Sequence, residues 1–475
     1  MKDVPKTTQR SRRPAQKSNT MPKKRTASST VQRKKSREKQ ERVGEVDRLP
    51  AILKRIVPHL SEYRLWTFDY KRGTGLTGLV QAIRAQKSVD GFFLCMVLVL
   101  LAAGLVMMFS AGYVDAQEHL GNAYAYIKPQ ATYALLGLVI MAVVSNVNPK
   151  VFRGFAYIAV AVSFVLLVVV LVYHTNLGAG REDIARYIPI FGGTFQPSEI
   201  AKLGLILFCA ASMEARRAEI YGNTGRVKKR VSWWRGLLAI APYVVVVGGM
   251  SGLVFLEHHL SGTILIAFLG MVMMWLGGVK WYWFMIPIGA VAAFYLLYKA
   301  GFSPVVKIFQ SYMLERVKAW QDKSYDPLGA RWQVNQSLYA IGSGGFWGSG
   351  FGQSKQKHLY VSEPHNDFIF SILCEEFGYI GAIITMLLFA LLVKQGFTIA
   401  SRQNSSDKRF NSLLCMGICF QVGMQAALNI AVVTDTIPNT GIGLPFFSYG
   451  GTSLVILLAE MGMVLSCSRT TRRRG

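Results

Sequence analysis

The sequence has few acidic residues and few cysteines. Its 475 residues contain 26 Asp and Glu against 53 Lys and Arg, a formal net charge of +27, and six cysteines. None of the cysteines lies in the long polar segment 302–365, so no disulfide framework is expected. Cys415 and Cys419 share a helical face without a neighbouring His or acid, and we interpret them as core residues rather than metal ligands. No cleavage site for a signal peptide is evident.

Long apolar runs are abundant. Half of the chain is hydrophobic (51%), and runs of about 20 residues, each long enough to cross a bilayer as a helix, recur along it. The runs are 91–111, 129–147, 151–173, 197–213, 236–256, 260–278, 282–300, 367–393, 411–433 and 443–466. This pattern predicts an all-α integral membrane protein with ten transmembrane helices, which together form a membrane domain over residues 91–468.

The distribution of basic residues predicts the orientation. Residues 1–90 hold 23 Lys and Arg against 8 Asp and Glu, and further basic residues follow the fourth and eighth runs and fill the tail 469–475. Ten crossings that start from a cytoplasmic N-terminus place all these segments inside, as the positive-inside rule requires. Both termini are therefore predicted to be cytoplasmic.

The first 90 residues precede the membrane domain. The composition of residues 1–48, rich in Lys, Arg, Ser and Gln with almost no aromatics, predicts a disordered tail. Residues 49–90 form a juxtamembrane segment, in which 76–86 has the apolar spacing of an interfacial helix. Anionic lipid headgroups explain a basic segment next to a membrane more simply than nucleic acid does, so we predict contact with anionic membrane lipids and no nucleic-acid partner.

The predicted topology leaves one large extracytoplasmic loop, residues 302–365, between helices 7 and 8. It carries seven basic and four acidic residues, a net charge of +3 that suits an anionic substrate, although a solvated charged loop is an equal alternative. The glycine-rich stretch 342–352 matches no nucleotide-binding pattern. A loop of this length is expected to fold or to bind something.

Charged residues inside apolar runs are costly and usually functional. Glu199 and Lys202 share a helical face, so they form either a salt bridge between helices or part of a substrate cavity. Glu375 and Glu376 are adjacent and point about 100° apart, so at least one is expected to cap or to pair with another helix. Asp367 lies at the mouth of its run, where a carboxyl group can be tuned for general base chemistry.

Four stretches resemble the SEDS family of bacterial shape, elongation, division and sporulation proteins, which includes FtsW, RodA and SpoVE. They are ARYIPIFGGTFQPSEIAK (185–202), RWQVNQSLYAIGSGGFWGSGFGQSKQK (331–357), EPHNDFIFSILCEEFG (363–378) and PNTGIGLPFFSYGGTS (438–453). They occur in the family's order and spacing. One departure is Asn366, which stands before Asp367 where the family commonly has Thr.

The resemblance implies a polytopic glycosyltransferase that polymerises lipid II into peptidoglycan strands at the outer face of the cytoplasmic membrane, releasing undecaprenyl diphosphate. The family's essential aspartate corresponds to Asp367, which we expect to take a proton from the 4-hydroxyl of the acceptor's N-acetylglucosamine. The family's charged pair corresponds to Glu199 and Lys202, and its upstream arginine to Arg186. The predicted binding and cavity residues are Glu199, Lys202, Arg186, Gln196, Gln333, His365 and Ser448.

The resemblance also implies partners and a cofactor. A class B penicillin-binding protein with transpeptidase activity and other division proteins are the expected partners, and a divalent cation, Mg²⁺ or Mn²⁺, is the expected cofactor, with no ligands assigned. The long basic extension favours a role in division at the septum over elongation of the RodA type. A lipid II flippase and a noncatalytic scaffold are the alternatives from other classes, although no internal repeat of the transporter kind is visible.

Overall fold

The described part of the chain is a bundle of helices. The computed structural model describes residues 89–176, 188–190, 193–217, 233–257, 259–285, 289, 292–293, 296–297, 299–301, 313–329, 331–403 and 408–470. Within these ranges the helices are α1 (Gly91–Leu120), α2 (Ile127–Asn146), α3 (Pro149–Asn176), α4 (Pro197–Ala215), α5 (Trp233–Leu256), α6 (Leu260–Leu276), α7 (Met313–Gln321), α8 (Trp332–Gly344), α9 (Ile369–Ser401), α10 (Arg409–Val433) and α11 (Gly451–Arg469), with a short 3₁₀ helix at Trp281–Phe284. The predicted tail 1–48, nearly all of the segment 49–90, Arg186 and residues 471–475 lie outside the described residues.

A small β-hairpin is added to the predicted all-α fold. Strand β1 (Ile188–Ile190) pairs antiparallel with β2 (Gly193–Phe195), and Ile188 lies opposite Phe195. The hairpin leads directly into α4, whose first residue is Pro197, as the sequence predicted. Strands of three residues are too short to leave a recognisable pattern in the sequence.

Within the described residues, seven helices are long and apolar enough to cross a membrane: α1, α2, residues Pro149–Tyr173 of α3, Leu237–Leu256 of α5, α9, α10 and α11. They correspond to seven of the ten predicted spans. Helix α6 matches the sixth run but has only 17 residues. Helix α4 matches the fourth and carries Glu199, Lys202 and Glu214 within 19 residues. The seventh run, 282–300, is described only in part.

Small residues allow the helices to pack closely. Helix α2 packs most extensively against α11, α3 against α4, and α9 against α10. At the α2–α11 contact, a Cβ atom at Gly462 would lie 2.8 Å from the carbonyl oxygen of Met141, so only glycine permits this backbone approach. Large apolar side chains on the other face of α2, including Leu135, Val139 and Val143, are exposed, as expected for a surface that faces lipid.

The described part of the predicted large loop is folded. It contains α7 and α8, and residues 345–368 then lead into α9. Helix α9 has 33 residues, about 50 Å at 1.5 Å per residue, so it is longer than a bilayer core of about 30 Å. It is kinked at Gly378, where φ is 64° and ψ is −162°. The first two turns, Ile369–Glu376, are buried, and α8 packs against α9.

Candidate active site

Asp367 lies two residues before the first residue of α9 and is half-buried. The N-terminus of a helix carries a partial positive charge, which stabilises a deprotonated carboxylate in this position. An ionised carboxylate that is still partly exposed can accept a proton from a bound hydroxyl group. The position of Asp367 in the fold is therefore suited to the role of a general base.

The backbone around this residue, which we call the Asp367 turn (residues 362–368), is held by other elements. The hydrogen bonds that hold it run from Asn429 Nδ2 to the carbonyl of Asp367 (2.7 Å), from Ser448 Oγ to the carbonyl of Asn366 (2.7 Å) and from the Tyr449 N–H to the carbonyl of His365 (2.9 Å). The donors belong to α10 and to the segment before α11. The turn is thus preorganised by contacts distant in sequence, as a catalytic group requires.

His365 is buried between aromatic rings. Its ring stacks on Tyr126 at a centroid distance of 4.2 Å and meets the edge of Tyr449 at 5.8 Å. Nδ1 of His365 lies 3.9 Å from a carboxylate oxygen of Asp115, which also accepts a 2.8 Å hydrogen bond from the Tyr126 hydroxyl. Burial lowers the pKa of His365 below 6.5, against the opposing influence of Asp115. A neutral His365 anchors the turn and contributes no positive charge to it.

Two further residues of the turn bind each other. The Asn366 side chain donates a 2.7 Å hydrogen bond to the carboxylate of Glu363, whose φ is 53°. Asn366, the departure from the family pattern, therefore closes a local turn by its side-chain amide.

Glu199 and Lys202 form a salt bridge within α4, whereas the sequence left open a bridge between helices or a place in a substrate cavity. Lys202 Nζ lies 2.8 Å from Glu199 Oε1 and donates a 3.0 Å hydrogen bond to Gln425 on α10. Lys202 is buried, with 4% of its surface exposed. Gln196 is the residue before α4, and its carbonyl accepts the Glu199 N–H. The salt bridge lies within α4, and the hydrogen bond from Lys202 to Gln425 links α4 to α10.

Three amides at four-residue spacing form a polar stripe on one face of α10, which the sequence analysis missed. Asn429 bonds the Asp367 turn, and Gln425 bonds Lys202. Gln421 lies within 3.4 Å of both carboxylate oxygens of Glu460 on α11. Successive amides are about 6 Å apart along the helix axis. The polar stripe therefore connects the Asp367 turn to the Glu199–Lys202 pair and to a buried acid. The spacing in QVGMQAALN and the lone acid in an apolar run were available signals.

Glu375 and Glu376 are structural, as the sequence predicted for at least one of them. Glu375 accepts hydrogen bonds from the Ser354 hydroxyl (2.5 Å) and the Lys355 N–H (2.9 Å). Glu376 forms a 2.8 Å ion pair with Lys357, and both side chains are fully buried. Together the two carboxylates fix residues 354–357 to α9.

Gln333 borders the turn from α8. Its Nε2 donates a 2.7 Å hydrogen bond to the carbonyl of Ser362, and its Oε1 accepts one of 3.3 Å from Asn439. Asp367, His365 and Ser448 thus meet at the turn with Gln333 beside it, whereas Glu199 and Lys202 are connected to it through α10. Among the described residues, no group of three or more His, Cys, Asp or Glu is placed to hold a metal ion.

Fold and site together define a polytopic helical membrane protein with a rigidly held, half-buried carboxylate at a helix start. Residues 91–473 match the sequence profile of the FtsW, RodA and SpoVE family, described as cell cycle protein, and the chain belongs to this family. It is 34% identical over 393 residues to the "Probable peptidoglycan glycosyltransferase FtsW" of Geobacter sp. (strain M18), covering 83% of this chain and 100% of that protein. It is 33% identical to "Stage V sporulation protein E" of Bacillus subtilis, covering 82% and 99%.

Solved structures share the fold. One, described as "Structural coordination of polymerization and crosslinking by a peptidoglycan synthase complex", matches with a TM-score of 0.61 and 26% identity over 80% of this chain and 98% of its own. The rod shape determining protein RodA of Thermus thermophilus matches with a TM-score of 0.56 and 25% identity over 81% and 98%.

Proposed function

We propose that this protein is a peptidoglycan glycosyltransferase that polymerises lipid II into glycan strands and releases undecaprenyl diphosphate. The observation that carries the proposal is the position of Asp367, half-buried at the start of α9 in a turn fixed by hydrogen bonds from α10 and the segment before α11. Support comes from the relatives, which carry the name of this activity.

In the proposed reaction, Asp367 accepts the proton of the acceptor's 4-hydroxyl group on N-acetylglucosamine. That oxygen attacks the anomeric carbon of the donor's N-acetylmuramic acid, and the bond from this carbon to the diphosphate breaks with its electron pair on the leaving group. A diphosphate leaves without a protonating acid, so one carboxylate is enough. General base catalysis of this kind contributes about 10²–10⁴ in rate.

The leaving diphosphate needs positive charge near it. Lys202 is proposed for this role, because its pairing with Glu199 and Gln425 holds its ammonium group in place. Arg186 is proposed for the same role. Mg²⁺ or Mn²⁺ is proposed as a further requirement. These ions bind one or two carboxylates together with substrate phosphates, so the proposal assigns no protein ligand set.

The proposal extends to topology and partners. In the proposed topology the chain crosses the membrane ten times, both termini are cytoplasmic and α8 lies on the outer side. The positions of the basic residues support this orientation. A class B penicillin-binding protein would crosslink the new strands, which is supported by the match to a complex described as coordinating polymerisation and crosslinking. Division proteins at the septum are the proposed surroundings, because several relatives are named FtsW.

The decisive experiment is polymerisation of purified lipid II by the protein with its penicillin-binding partner, in the presence and absence of divalent cation. Asp367→Asn should abolish polymer while the complex still assembles. Asp322→Asn, at a fully exposed acid beyond α7, is the matched control and should retain polymer. Equal polymer yield from the wild-type protein and from Asp367→Asn would refute the role of Asp367 as the general base. Absence of polymer from the wild-type protein would favour a flippase or a noncatalytic scaffold. In cells, localisation of a fluorescent fusion of the protein along the side wall instead of at the septum would favour a role in elongation.

A further inference from the structure

A cavity of about 440 Å³ lies beside the Asp367 turn, between α7, the start of α8 and the segment after α10. Its size falls in the range of small-molecule sites, about 300–1,000 Å³. Its lining includes Arg316, Trp320, Arg331, Trp332, Gln333 and Asn439. None of these except Gln333 belongs to the predicted site.

The walls of the cavity are fixed by a buried ion pair. Arg331, which is 3% exposed, binds Asp435 through Nη2 at 2.5 Å and donates through Nη1 to the carbonyl of Ala319 at 2.7 Å. These bonds join α8 to α7 and to the end of α10. Asp435 itself has a φ of 56°, a conformation uncommon for a residue other than glycine. The cavity is therefore a built feature of the fold, with preorganised walls.

Two tryptophans, Trp320 and Trp332, line the cavity. Trp320 donates its indole N–H to the carbonyl of Asp435 at 3.1 Å, and Trp332 donates its own to the carbonyl of Tyr360 at 2.9 Å. Because both polar groups are already bonded, each indole offers a ligand its apolar carbon surface. The amides of Gln333 and Asn439 bond each other and the Asp367 turn, and each NH₂ group keeps a second N–H for a ligand in the same lining.

The charges of the lining cancel. Arg316 and Arg331 are matched in number by Asp326 and Asp435. An anionic ligand such as a diphosphate would gain little from such a lining, whereas a neutral ligand with hydroxyl and amide groups and apolar C–H faces fits it. This is the chemistry of an N-acetylated saccharide: sugar rings pack their C–H faces on aromatic rings, and their acetamido and hydroxyl groups bond amides.

We propose that this cavity binds the N-acetylated saccharide chain of the glycan strand next to the reacting sugars. The inference rests on the proposed function, and the connection is structural, because Ser362 of the Asp367 turn lines the cavity and accepts a hydrogen bond from Gln333. When the strand is bound in this cavity, the sugar next to the bound part of the strand lies at Asp367. Weaker binding of the glycan strand in the cavity is expected to shorten the strands, because the growing strand then dissociates between successive additions of lipid II.

The test measures binding of a soluble β-1,4-linked tetramer of N-acetylglucosamine to the purified full-length protein in lipid nanodiscs by saturation-transfer NMR and calorimetry. Trp332→Leu should weaken binding about three- to tenfold, the fold-change that corresponds to an aromatic contact. Trp332→Phe, which keeps an aromatic ring, should bind more tightly than Trp332→Leu. Trp347→Leu is the matched control, at a tryptophan that is 79% exposed and does not line the cavity, and should bind like wild type. Maltotetraose, which lacks acetamido groups, should bind more weakly.

A second measurement separates this inference from the proposed function. Strand length from lipid II should fall in Trp332→Leu, whereas Asp367→Asn should still bind the tetramer although it makes no polymer. Equal tetramer binding by wild type and by a folded Trp332→Leu protein would overturn the saccharide site, as would failure of an active wild type to bind the tetramer. Tetramer binding without any polymerisation would instead refute the transferase and leave the site standing.

Discussion

Asp367 and the pair Glu375 and Glu376 lie about two helical turns apart on one stretch of the chain, yet their surroundings differ. Glu376 is fully buried with Lys357 and Ser110, and Glu375 is 2% exposed with hydrogen bonds from residues 354–356. Asp367 is half-buried at the helix start, and the contacts that fix it reach its backbone. Acids whose oxygens are all bound to protein groups hold structure together. An acid whose backbone is fixed and whose side chain stays partly exposed is available for chemistry.

The largest effect on stability is expected from Lys357→Met. Without the ammonium group, the carboxylate of Glu376 stays buried without a counter-charge, which destabilises by about 3–5 kcal/mol. The measurement is the free energy of unfolding in mixed micelles titrated with SDS. Lys355→Met, at an exposed neighbour, is the matched control and should change it little.

A double variant sharpens the same test. Lys357→Met combined with Glu376→Gln removes both charges and should recover most of the lost stability, because a buried amide is far less costly than an unpaired carboxylate. If Lys357→Met proves as stable as Lys355→Met, the assignment of Glu376 as a structural acid is wrong, and the contrast with Asp367 is lost.

Gly378→Ala should cost about 1–3 kcal/mol, the range for a residue held in a strained backbone region. Gly378 has a φ of 64° and a ψ of −162°, and a Cβ atom there would overlap the backbone of Gly348 and Phe346. The kink lets Tyr379 donate its N–H to the carbonyl of Gly345 at 3.0 Å. Hydrogen exchange at Tyr379 should therefore accelerate.

The control for this variant is Gly342→Ala in the last turn of α8. A Cβ atom at Gly342 meets nothing within 4 Å, so this change should leave exchange at Tyr379 as in wild type. Unchanged exchange in Gly378→Ala would mean that the loop after α8 is held by the Glu375 and Glu376 contacts alone.

His365 should contribute to the pH dependence of stability, with a smaller effect than Lys357→Met or Gly378→Ala. Burial lowers its pKa below 6.5 in the folded protein. As the pH falls below about 6.5, the unfolded chain takes up a proton that the folded protein resists, so stability is retained above this pH and decreases below it. Unfolding compared at pH 7.5 and 5.5 should show a smaller decrease in His365→Asn than in wild type. The exposed His358→Asn should keep the wild-type decrease, and an equal decrease in all three proteins would rule out this role of His365.

Much of this comparison was predictable from sequence. Hydropathy located the seven described helices that are long and apolar enough to cross a membrane, and the cost of charge in apolar runs pointed to Asp367, Glu375 and the Glu199–Lys202 pair. These signals are local. Glu199 and Lys202 are three residues apart, so one helical turn is enough to bring them together.

The remainder depends on contacts between distant segments. Asp115 reaches His365, Arg331 reaches Asp435, and Ser448 reaches the Asp367 turn, each across a large sequence separation. No periodicity in a single sequence encodes which helices become neighbours. The ends of helices were also poorly predicted: α1 continues to Leu120, beyond the apolar run 91–111, and this extension carries Asp115.

The smallest effect on stability is expected from Asp367→Asn, and it is the most informative. The weaker interaction of an uncharged side chain with the helix dipole at a helix N-terminus costs about 0.3–1 kcal/mol. The same substitution should reduce polymerisation by about two to four orders of magnitude. Unfolding in SDS and polymer yield, measured on one preparation, give both numbers. A stability loss as large as that of Lys357→Met would place Asp367 among the structural acids, since the lost activity would then follow from unfolding. A small stability loss with no polymer leaves the missing carboxylate as the cause, because the turn that presents it is held by backbone contacts that the substitution does not touch.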